Sequence, residues 1–188
     1  MVNWLAKRWV AAALFMGVGF IALGPAIAIS FSGFLTLIYL HLPIYMLHQF
    51  EEHAGDRFRH FTNTRLFAGK EVLRPVDVIV VNIPLVWGVN LFAFYTAVFV
   101  KTGLGLVAPY LLLVNALLHI ITSLRFRCYN PGIATAIALF IPLSLITLIV
   151  SAGVPGITMR DHFIALIAAL FIHVAIMAQA GLRLHQMH

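Results

Sequence analysis

Acidic side chains are almost missing from this chain. Its 188 residues hold three Asp and three Glu against twelve Lys and Arg, and only 10% of them are charged. Soluble domains carry roughly a quarter charged residues, so an ordinary water-facing surface is excluded. Cysteine is missing apart from Cys128, which excludes an internal disulfide and leaves the redox compartment open. There is no glycine-rich phosphate loop, no low-complexity tract and no clear internal repeat, and no basic patch of the kind that binds nucleic acid. What is there instead is apolar. Hydrophobic residues make up 62% of the chain, in runs long enough to cross a bilayer. The composition reads as a single integral membrane domain over residues 1–188.

A spanning helix needs about 20 mostly apolar residues. Trp9 to Phe50 is one apolar run, too long for one span and right for two. Gly24-Pro25 is the expected turn between them, with Ser32-Gly33 as the alternative. The expected fold is all-α, a polytopic bundle of about six spans at 8–24, 27–53, 77–99, 104–124, 131–151 and 161–182. A kink is expected near Pro43. Residues 54–75 are basic, with Phe58, Phe61 and Phe67 interleaved, and read as an interfacial segment whose phenylalanines dip into the headgroups. Lys7-Arg8, the run after them and Ala26-Ile27-Ala28 also have the layout of a signal peptide. A retained first span is the expectation.

With six spans, both termini share one face. Lys7, Arg8, Arg57, Arg59, Arg65, Lys70, Arg74, Arg125, Arg127 and Arg183 fall there, leaving only Lys101 and Arg160 opposite. The positive-inside rule then makes the termini cytoplasmic. A bacterial inner membrane is the expected location, with anionic headgroups meeting Arg57, Arg59 and Arg65.

Two of the six acidic residues cluster with histidine. His48-Gln49-Phe50-Glu51-Glu52-His53 ends an apolar run, where each ionisable group costs several kcal/mol unless paired, hydrated or metal-bound. His41, Tyr45, His48 and Glu52 fall on one helical stripe, with Glu51 on its flank. By the assumed orientation, Asn82, Asn115, His119, Asn130 and His173 lie at a similar depth. Imidazole and carboxylate together suit a divalent metal, zinc first and iron second. The expected ligands are His48, Glu52, His119 and His173. Glu51, Glu52 and Asn115 are the expected catalytic groups, with Asn115 orienting His119 one turn on. His41, Tyr45, His53, Asn82 and Asn130 are expected to support them. Asp77 reads as a helix N-cap, Tyr129-Asn130-Pro131 as a turn, and His185 and His188 as a solvated tail.

The string His48-x-x-Glu51-Glu52, followed by Asn115 and His119, resembles the HXXEE-domain family of small membrane proteins over roughly residues 10–180. The resemblance implies a multi-pass helical protein with this site and no named reaction. Membrane proteases of the CAAX type use Glu-Glu-x-x-x-Arg, but here Arg57 lies one residue too far. Three functions follow for the site. The first is a metal-dependent hydrolase acting on a lipid or other hydrophobic substrate, with Glu51 or Glu52 as ligand or base. The second is a non-haem iron, even di-iron, oxidoreductase. The third is a proton or metal transporter or a sensor.

Overall fold

The computed structural model describes residues 2–187, with side chains from residue 8 onward; the Lys7 side chain and His188 lie outside the described residues. Every element among them is helical. Helix α1 spans Val2–Ala22 and α2 Gly24–Ser30, bent 45° from it. Pro25 falls in the first turn of α2, where a proline needs no partner for its missing N–H. Gly24-Pro25 therefore bends the chain and does not reverse it. The reversal comes at Phe31, which is extended, and Ser32, whose hydroxyl accepts from the Leu35 amide at 3.3 Å. Helix α3 accordingly spans Gly33–His53 and not 27–53.

A tight turn with positive φ at Gly55 and Asp56 leads to the short α4, Arg57–Phe61, and a wide turn at Thr62–Leu66. Four long helices follow: α5 Pro75–Phe99, α6 Thr102–Phe126, α7 Ile133–Ser151 and α8 Met159–Gln186. Wide π turns interrupt α5 at Val81–Trp87 and α7 at Ala136–Phe140. Pro84 lies inside the first and Pro142 just after the second. Each proline removes a donor and crowds the carbonyl four residues back, which widens the helix locally.

Among the described residues, α5, α6, α7 and α8 are long and apolar enough to cross a membrane, and the bent pair α1–α2 brings the number to five. The expected six is corrected by α3. It carries His41, His48, Gln49, Glu51 and Glu52 and packs on α1, α5, α6 and α7, with all of these but the half-buried Glu51 buried. Other helices surround it. Small residues allow close crossings, as expected for helices in lipid. A Cβ on Gly17 of α1 would stand 3.0 Å from the Met46 Cβ and 3.1 Å from the Pro43 carbonyl on α3. Ala93, Ala97, Ala165 and Ala169 are buried likewise. The outer faces carry exposed Phe15, Ile29, Phe99, Ile149, Phe163 and Phe171. Apolar patches of that extent mark contact with lipid or protein and are compatible with a multi-pass membrane protein.

One end of the bundle collects the chemistry. Trp9 of α1 stacks on His53 at the end of α3, ring centres 5.1 Å apart. Arg183, near the end of α8, pairs with Asp77 at the start of α5 and donates to the Val72 carbonyl at 2.9 Å. Asp77 is not itself the cap residue. It sits at the third position and accepts from the Arg74 amide at 2.9 Å.

Candidate functional site

His48 and Glu52 are one turn apart on α3, so their side chains lie on one face. His119, in the last third of α6, meets them from across the bundle. The His48 Nε2 and His119 Nε2 atoms each stand 3.5 Å from a Glu52 carboxylate oxygen. One donor atom from each of the three lies within 4.8 Å of the others, and all three residues are buried. Ligand atoms about 2 Å from a shared ion stand roughly 3–4 Å apart, so the spacing fits a single metal. The surroundings fit as well. The His48 Nε2 atom is buried with no hydrogen-bond partner, which costs roughly 1–3 kcal/mol if left so. His53 Nε2 lies 3.0 Å from Glu52 but out of hydrogen-bonding alignment.

Gly132 closes the site from the turn before α7. Its φ is +99°, and a Cβ there would stand 2.7 Å from His48 Cε1 and 2.8 Å from His119 Cε1. Tyr129-Asn130-Pro131 does form the turn, the Asn130 carbonyl accepting from the Ile133 amide at 3.0 Å. Neither Gly132 nor Thr135 stands out in the sequence. The one signal there was a glycine directly after Asn-Pro.

The other expected residues divide. Glu51 points away from the three donors and binds the start of α7. It accepts from the Tyr129 hydroxyl at 2.5 Å, the Ala134 amide at 3.1 Å, the Thr135 amide at 2.7 Å and the Thr135 hydroxyl at 2.5 Å. Partial burial and this bond to Glu51 hold the Tyr129 phenol above its ordinary range. Asn115 does not orient His119: it donates to the Tyr45 hydroxyl at 3.0 Å, because that phenol rises from α3 into its reach. Asn130 donates to the His119 backbone carbonyl at 3.3 Å. Asn82 accepts from Gln49 at 2.9 Å, and Gln49 accepts from the Trp87 indole at 2.8 Å. His41 is wholly buried, with Nδ1 on the Leu37 carbonyl at 2.8 Å. His53 is buried between Trp9 and Phe58. His173 falls outside the group of close donors, with Nδ1 on the Ala169 carbonyl at 2.8 Å.

Glu52, Asn115, His119 and His173 line a cavity of about 540 Å³. Its other walls are largely apolar, including Phe58, Phe61, Phe67, Leu118, Ile172 and Met177. The three phenylalanines therefore line the cavity, and the Phe58 ring lies tilted against His119 with centres 6.1 Å apart. Arg59 is held by Asp56 at 2.5 Å and Glu71 at 2.9 Å. Those partners, Asp56 first, raise its guanidinium further above neutrality.

No curated protein and no solved structure matches the chain. The family described as "Protein of unknown function with HXXEE motif" matches residues 39–147, more than half of the sequence and including every residue of the three-donor group. The chain belongs to that HXXEE family.

Proposed function

We propose that this chain is a multi-pass membrane enzyme that holds one divalent metal, zinc by preference, on His48, Glu52 and His119, and hydrolyses a lipid or other hydrophobic substrate. The observation that supports it most is the gathering of these buried donors beside a large, mostly apolar cavity, with Glu52 and His119 in its wall. Two histidines and a glutamate with an open position are a donor set of catalytic zinc. A bound zinc supplies a Lewis acid and makes water acidic enough to act as a nucleophile near neutral pH.

The chain's own groups do the rest. Phe58, Phe61 and Phe67 line the cavity and make its wall beside His119 apolar. The His173 Nδ1–H donates to the Ala169 carbonyl, so in the neutral ring Nε2 carries the lone pair and serves as a proton acceptor on the cavity wall. The buried, unpartnered Oδ1 atoms of Asn115 and Asn130 stand ready to accept from a substrate donor. Arg125 at the cavity favours an acidic head on an apolar body. Beside it, Arg57, His60 and Arg65 line a more open groove suited to anionic headgroups.

Iron is the second reading, because two histidines and one carboxylate with open positions also form the donor set of non-haem iron oxygenases. No other group of three donors occurs among the described residues, which disfavours a di-iron centre. Elemental mass spectrometry on the purified protein tests both. We expect one zinc per chain, lost in His48→Ala, Glu52→Gln and His119→Ala with the fold retained, and unchanged in His185→Ala. One iron per chain would transfer the assignment to redox chemistry. Wild-type protein that binds no metal, as isolated or after zinc addition, would end the metal reading.

A further inference from the structure

The two adjacent glutamates of the motif have different surroundings. Side chains one residue apart on a helix point about 100° apart. Glu52 faces the two histidine Nε2 atoms, while Glu51 faces the start of α7. Between Glu51 and His48 stands the Thr135 hydroxyl, 2.5 Å from a Glu51 oxygen and 2.8 Å from His48 Nδ1.

We infer that Glu51 and Thr135 are positioning residues that lock His48 into a single tautomer, with the proton on Nδ1 and the lone pair on Nε2 aimed at Glu52 and His119. A carboxylate only accepts hydrogen bonds, and a threonine hydroxyl has one proton to give. The nearest acceptor for that proton is Glu51 at 2.5 Å; the Gly132 carbonyl is farther, at 3.2 Å. With its proton committed, the Thr135 oxygen can only accept, so His48 Nδ1 must be the donor. Glu51 is itself fixed by the Tyr129 hydroxyl and by the amides of Ala134 and Thr135. The ring has little freedom to turn. Phe140 packs on it with ring centres 4.3 Å apart, and Gly132 lies close against Cε1.

His119 is different: its Nδ1 is buried without a partner. The order at the site therefore comes from α3 and the start of α7. Metal-binding histidines usually have the far nitrogen bound to a carboxylate or carbonyl; here one hydroxyl intervenes. The consequence for metal affinity rests on the zinc reading above, but the tautomer does not.

Nitrogen-15 NMR of the metal-free protein in detergent, with labelled histidine and a pH at which imidazoles are neutral, reads the tautomer directly. The His48 signals are those missing in His48→Gln. We expect a protonated Nδ1 and a bare Nε2 in the wild type, a mixture in Thr135→Val, and recovery in Thr135→Ser. Zinc affinity by chelator competition should fall roughly 10- to 100-fold in Thr135→Val and recover in Thr135→Ser. A wild-type His48 with its proton on Nε2 overturns the inference without needing any variant. An unchanged tautomer in a folded Thr135→Val protein overturns it as well. If the tautomer responds as expected but no form binds zinc, the positioning role stands and the metal reading fails.

Discussion

At the scale of single residues, Gly132 is the most exacting position in the site. A side chain there meets two costs. Its φ of +99° is unfavourable for any residue with a Cβ, by about 1–2 kcal/mol in the left-handed region, and the Cβ would overlap both histidine rings. Gly156 separates the two effects, because it has φ +83° with nothing within 4 Å of the place a methyl would take. Gly132→Ala should lose zinc and shift both histidines, while Gly156→Ala should lose a similar amount of backbone stability and keep its zinc. Calorimetry with metal analysis on the two variants checks this. Equal zinc content in both would mean the rings adjust and Gly132 serves only the turn. His48, Glu52 and His119 were legible in the sequence because ionisable groups in an apolar run need a partner. Thr135 and Gly132 were not, since a threonine or glycine in a helix-opening turn has many ordinary reasons to be there. Asn115 misled for a related cause. Its i,i+4 spacing to His119 is real, but the Tyr45 hydroxyl from another helix offers a better acceptor.

At the scale of elements, apolar runs located the helices and local chemistry decided their ends. The first reversal falls at Ser32 because a hydroxyl there caps α3, a detail that hydrophobicity alone does not weigh. The segment between α3 and α5 shows the same limit. Its alternation of Phe and Arg suits a membrane surface, yet Arg59 is taken up by Asp56 and Glu71 and the phenylalanines turn into the cavity. Asp77 then ties this segment's end to α8, bound by Arg74 at 3.2 Å and by Arg183. Helix α8 has 28 residues, about 42 Å at 1.5 Å per residue, and its last turns close one side of the cavity. Asp77→Asn removes the charge and keeps the size, leaving Arg183 partly buried without its partner. We expect faster amide exchange over residues 176–186 and little change in metal content, since Asp77 is not among the close donors. Hydrogen-exchange mass spectrometry is the measurement. Unaltered exchange there would mean that packing alone, through Ile172 and its neighbours, holds the end of α8.

At the scale of the whole molecule, charge and site coincide. Arg8, Arg57, Arg59, Arg65, Lys70, Arg74, Arg125, Arg127 and Arg183 all belong to the end that holds the His48–Glu52–His119 group; Lys101 and Arg160 lie at the other, where Lys101 pairs with Asp161 at 2.5 Å. This asymmetry was readable from the sequence because it needs only the order of the helices. The number of helices apolar enough to cross a membrane was less readable, because α3 is shielded by its neighbours and carries polar groups that a lipid-facing helix excludes. If the chain spans a membrane and positive charge sets its orientation as in multi-pass proteins, the site end faces the cytoplasm. Cysteine labelling decides it. In a Cys128→Ser background, His60→Cys places a thiol at an exposed position beside the site, and Gly153→Cys places one in the exposed turn between α7 and α8. A membrane-impermeant maleimide added to intact cells should reach position 153 at once and position 60 only after permeabilisation. The reverse pattern would put the cavity on the outer side and supply its substrate from there. It would leave the donor geometry untouched, because nothing in the spacing of His48, Glu52 and His119 depends on which compartment the bundle faces.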